Sequence, residues 1–157
     1  MQYRHEWKHE ISVFDVLCLR QRLSSVMTPD PHAQGGRYSV RSLYFDDLRD
    51  TALREKLDGV SRREKFRLRC YNGDDSYLVL EKKSKVGGLC AKEQTCLTRP
   101  QAQALLVCDF ETLAADPAPL MQELLWKMLT RGLRPKTIVD YTREPFVFAP
   151  GNVRVTL

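Results

Sequence analysis

The chain has 157 residues, 43% hydrophobic and 29% charged, with only 8 Gly and 8 Pro; this suits one globular domain and excludes a fibrous or low-complexity chain. Its 25 Lys and Arg against 20 Asp and Glu give a net charge of +5, which favours anionic partners without choosing among phosphate compounds, nucleic acid and lipid. No apolar run approaches the roughly 18 residues of a membrane span, and the five cysteines, odd in number and without a C-x-x-C pair, read as reduced thiols of a cytoplasm.

The elements follow in chain order. Tyr3 to Ile11 alternates, with Arg4, Glu6, Lys8 and Glu10 on one face, and reads as a first strand rather than a signal peptide. Ser12 with Asp15 forms a capping box that opens a helix through about Met27, with Val16, Leu19, Leu23, Val26 and Met27 as its apolar stripe. Thr28 to Gly36 is a Pro/Gly loop, Tyr38 to Asp46 a strand, and Asp47 to Gly59 holds a short polar helix. Strands Glu64–Tyr71 and Tyr77–Lys83 flank Asn72-Gly73, a hairpin signal, and Cys90–Leu97 follows the Gly87-Gly88 turn as the next antiparallel strand.

From Arg99 the period becomes helical. Pro100–Val107 is one helix and Ala118–Thr130 a stronger one, stopped by Gly132. A long β segment, Lys136–Phe148, then turns through Pro150-Gly151-Asn152 into Val153–Leu157. Trp7 and Trp126 read as core or helix-packing aromatics. The order predicts an α+β fold with a mainly antiparallel sheet, in a single domain over residues 1–157.

The charges decide the next step. In Lys65-Phe66-Arg67-Leu68-Arg69 the cations point one way and the apolar residues the other, and other strands repeat the pattern. Like charges gathered on one face repel unless something strongly anionic lies between them. Such a face fits the inside of a wet barrel whose apolar outside is covered by helices.

Five motifs carry a resemblance. Arg4-x-Glu6-x-Lys8, Ser42-Leu43-Tyr44-Phe45-Asp46, Arg67-Leu68-Arg69-x-Tyr71, Leu80-Glu81-x-Lys83 and Tyr141-x-Arg143 occur in that order. Together they resemble the vacuolar transporter chaperone (VTC) polyphosphate polymerase domain, within the CYTH-like triphosphate tunnel metalloenzymes. The resemblance implies an antiparallel tunnel that binds ATP or inorganic polyphosphate and transfers the γ-phosphate to a growing chain, assisted by Mn2+ or Mg2+. It places Lys8, Arg67, Arg69, Lys83 and Arg143 in the tunnel as catalytic and phosphate-binding residues, with Lys92 and Arg154 joining them on phosphate. Glu6 and Glu81 share the tunnel face and either hold the metal or pair with neighbouring cations. Tyr71 and Tyr141 are tunnel-wall residues that would touch a base or ribose.

Members of that family continue past the segment matching Val153–Leu157 with a metal-binding Glu and further Lys. About seven strand segments are read here where a closed tunnel takes roughly eight. The expectation is an incomplete tunnel lacking its last strands, with weak turnover on its own. An open sheet edge would allow self-association, and a membrane protein is a conceivable receiver of the polymer. Two other functions compete: triphosphate hydrolysis, and a non-catalytic module that binds polyphosphate. Nucleic acid is not expected as a partner, because the cations fall on concave strands and no recognition helix is seen.

Overall fold

The computed structural model describes residues 6–157, which form two compact units, one of Arg41–Val139 with Glu6 and the other of Trp7–Val40 with Asp140–Leu157. The fold is α+β, as the sequence predicts. A five-stranded sheet runs in the order β5-β4-β3-β2-β6. Its strands are β2 (Tyr38–Asp46), β3 (Arg62–Tyr71), β4 (Asp74–Val86), β5 (Leu89–Leu97) and β6 (Arg134–Arg143). Strands β3, β4 and β5 form an antiparallel meander. Its two turns are Asn72-Gly73 and Gly87-Gly88, and all four residues have positive φ, the geometry a two-residue hairpin of the favoured twist demands. Among the described residues the sheet has two free ends and does not close into a barrel.

One face of this sheet makes the core. Phe45, Phe66, Leu68, Leu80 and Leu97 pack against Leu105, Leu113, Met121, Leu124 and Met128 from α3 (Arg99–Val107), α4 (Phe110–Ala114) and α5 (Pro119–Arg131). Fully burying each such side chain stabilises by about 1.5–3 kcal/mol. Thr98 and Gln101 close a capping box on α3, and Gly132 at φ 71° ends α5. The small helix α2 (Thr51–Leu57) is anchored by Asp46, whose carboxylate accepts from the Ala52 and Leu53 amides at 2.9 and 3.1 Å.

The smaller unit contains α1 (Val13–Ser24), opened by the expected Ser12–Asp15 capping box, and a sheet in the order β1-β7-β8. These strands are β1 (Thr28–Pro29), β7 (Pro145–Phe148) and β8 (Val153–Thr156). Arg20 grips Glu144 through two hydrogen bonds of 2.7 and 2.9 Å.

The structure corrects the reading at four places. Residues 6–11 are not a strand; of the predicted first strand, residues 3–5 lie outside the described residues. Trp7 is 85% exposed there, so the alternation has no covered face to specify pairing. Trp126 is 54% exposed, with the Arg131 guanidinium over its ring at 5.9 Å, rather than in the core. The segment read as one strand over 136–148 splits at Glu144 between two sheets. Pro145 has no N–H to continue the ladder, while Glu144 exchanges both backbone bonds with Leu157 at 3.0 and 3.1 Å. Helix α4, only five residues long, was too short to show a period.

Candidate functional site

The second face of the meander is where the charges gather. Strand register sets Lys65 opposite Lys83, and Lys83 opposite Lys92. Three lysines therefore lie in one row across three neighbouring strands, with directly opposed Cβ atoms about 4.5–5.5 Å apart. Like charges so placed destabilise a sheet. The next row on the same face is Arg67, Glu81 and Gln94, and the one beyond it Arg69, Val79 and Cys96.

Glu81 organises the middle row. Its side chain is buried, and Oε2 accepts from Arg67 Nε at 2.7 Å and lies 3.5 Å from Arg69 Nη1, while Oε1 accepts from Lys92 Nζ at 3.1 Å. Arg67 also donates to the Tyr44 hydroxyl at 3.2 Å, and Arg69 Nε donates to Ser42 Oγ at 3.0 Å. Arg67 and Arg69 are both buried, so these bonds fix the two guanidinium groups as one block. Lys83 bonds to Glu6. Lys65 instead holds its ammonium over the Tyr44 ring, 5.1 Å from the centroid.

The titrations follow from this packing. Burial alone would raise the Glu81 carboxyl, but the charges of Arg67, Arg69 and Lys92 outweigh it and hold the group below its ordinary 4.5. Burial, with Arg67, Lys83 and Lys56 as like charges, pulls the Lys65 ammonium down. Burial opposes ionisation of Tyr44, yet Arg67, Lys65 and Arg69 bring its phenol below the usual value. A carboxyl depressed on folding stabilises the protein above its unfolded pKa, and that contribution is lost as pH falls through the depressed value. Acid titration of Tm is therefore expected to show a loss starting below about pH 4.5, shallower in Glu81→Gln; equal slopes in the two proteins would contradict this.

The helix-covered face carries a separate network. Lys82 bonds to Glu123 at 2.6 and 2.8 Å, and Lys127 lies 3.0 Å from Glu123 and bonds to Glu64. These charges are structural supports of α5 against the sheet.

Of the residues singled out from sequence, the structure brings Arg67, Arg69, Glu81, Lys83 and Lys92 onto one face, with Glu6 against Lys83. Lys8, Arg143 and Arg154 belong to the other unit. Lys8 lies on the exposed 6–12 segment. Arg143 Nη2 donates to Tyr141 Oη at 3.0 Å with its guanidinium over that ring, and Arg154 is ion-paired with the buried Asp30. Sequence reading placed Lys65 on the charged face yet gave it no role, and passed over Tyr44 and Ser42 as positioning groups. The spacing Lys65-x-Arg67-x-Arg69 carried the signal for the first.

The family follows from comparison. The pattern of the VTC domain matches residues 3–157 of the chain. The chain belongs to the VTC domain family. Comparison with curated protein sequences gives no match. Among solved structures, the VTC chain is similar to a Bacillus halodurans protein provisionally described as an adenylate cyclase. The TM-score is 0.58 at 15% identity, over 92% of this chain and 68% of that one. That likeness concerns the fold alone, which is of the CYTH-like triphosphate tunnel type.

Tunnel domains of this kind generally use a divalent metal. Among the described residues no three His, Cys, Asp or Glu side chains come together. Both Glu81 oxygens are taken by cations and Glu6 is taken by Lys83, so the carboxylates on this face do not fit a metal site of their own. No helix among the described residues is long and apolar enough to cross a membrane, and all five cysteines are free.

Proposed function

We propose that the VTC chain binds the phosphate chain of ATP or of inorganic polyphosphate on this face, and that its reaction is transfer of the ATP γ-phosphate to a growing polyphosphate. The row Lys65, Lys83 and Lys92 carries this reading: three ammonium groups on neighbouring strands, with Glu6 and Glu81 as partners of the latter two, form a cationic strip that favours an anion laid across it. Phosphoryl transfer asks mainly for charge neutralisation and in-line positioning, which compact ammonium groups on a rigid sheet supply. Arg67 and Arg69, held by Glu81, Tyr44 and Ser42, would keep their remaining N–H groups in fixed directions towards the phosphates. Mn2+ or Mg2+ would come with the substrate, since the face offers no ready carboxylate cage.

One observation favours a second reading, a binding module without turnover: the guanidinium charges a transferring phosphate would use are already met by Glu81. Incubation of the purified chain with ATP and Mn2+, followed by gel separation, distinguishes the two. Long phosphate chains are expected if the chain is a polymerase, and free phosphate alone would make it a hydrolase. Inorganic tripolyphosphate that binds without any product would make it a module. Absence of tripolyphosphate binding would overturn both readings.

A further inference from the structure

The basic face ends in aromatics. Beyond the Arg69 row, Tyr71 and Tyr77 lie with ring centroids 6.3 Å apart and planes inclined by 31°. The Arg69 guanidinium sits over the Tyr71 ring at 5.9 Å, so a cation, a half-buried ring and a second ring follow one another in space. Tyr77 is 48% exposed, and its phenol neighbours Cys96, a residue of the same face. The phenol is pushed up, first by the neighbouring thiol, so it stays neutral. A neutral aromatic, packed on a second ring and half open to solvent, is a surface on which a planar base stacks.

We infer that Tyr77, backed by Tyr71, is the platform for the base of a nucleoside triphosphate whose phosphates run along the Arg69 and Arg67 rows to the lysine row. This rests on the phosphate-binding reading above and adds which end of the face takes the nucleoside. The two rings already touch, so the base lies on the solvent side of Tyr77 and does not slip between them. From Tyr77 to Lys83 along β4 is six residues, about 20 Å of strand. A nucleoside triphosphate stacked on Tyr77 and extended along the strand passes the Arg69 and Arg67 rows within that span, its last phosphate nearest the lysine row. Inorganic tripolyphosphate, with no ring to stack, uses the cationic rows alone.

Calorimetric titration of ATP and of inorganic tripolyphosphate into the wild-type chain, Tyr77→Leu and Tyr77→Phe tests this. Base stacking predicts that Tyr77→Leu weakens ATP by at least about fivefold, leaves tripolyphosphate unchanged, and that Tyr77→Phe keeps ATP affinity. Equal weakening of both ligands, or unchanged ATP affinity in Tyr77→Leu, overturns the inference while the phosphate-binding reading stands. Failure of tripolyphosphate to bind the wild-type chain overturns that reading and this inference with it.

Discussion

Replacing Lys65 and Lys83 together by alanine is expected to weaken inorganic tripolyphosphate binding by about a hundredfold, while Tm stays level or rises. The affinity loss follows from removing two charge-assisted contacts, each contributing about 1.5–3 kcal/mol, and they are not fully additive because they share one ligand. The stability gain follows from the register. Lys65 faces Lys83 and Lys83 faces Lys92, so the double variant removes two like-charge oppositions from one row, which offsets the loss of the partly exposed Lys83–Glu6 pair. A structural role for these lysines predicts the reverse pair of results. Titration calorimetry beside a thermal melt reads both quantities, and a lower Tm with unchanged affinity would remove the row from the site.

Glu81→Ala is expected to cost about 3–5 kcal/mol of unfolding free energy, measured by urea denaturation. The carboxylate is 1% exposed and faces three cations, two of them buried guanidinium groups. Its removal takes from the buried Arg67 and Arg69 the carboxylate that both face. For the same reason, replacing both arginines by alanine would strand Glu81 and unsettle the fold, so a loss of phosphate binding in that variant would say little about the site. A change below about 1 kcal/mol in Glu81→Ala would mean that water reaches the pair and screens it.

Much of this was legible in the sequence because local rules suffice for it. The bounds of β2, the Ser12–Asp15 cap, the Gly132 stop and the two glycine turns depend on a few adjacent residues. The alternation of Lys65, Arg67 and Arg69 likewise marks a face without any knowledge of its neighbours. Register is different. The turn pairs Tyr71 with Asp74, and an unbroken ladder from there would set Lys65 against Leu80 and Arg67 against Leu78. An irregularity between Arg69 and Tyr71 shifts the pairing by an odd number, bringing Lys65 to Lys83 and Arg67 to Glu81. Nothing in the composition of the hairpin announces that shift, so neither the lysine row nor the Glu81 cluster could be read in advance. The choice left open for Glu81, metal ligand or partner of cations, turned on the same register.

The two glycine turns also bear on how the chain reaches its fold. They make the pairings of β3, β4 and β5 local ones, and local pairings form fast. The lysines are thus drawn together early, before the helices that follow in sequence have covered the other face of the sheet. At that stage their repulsion is opposed chiefly by strand hydrogen bonds, and an anion held across them eases the passage as well as the final state. For this chain, phosphate in a refolding buffer is expected to raise the yield above that of chloride at equal ionic strength.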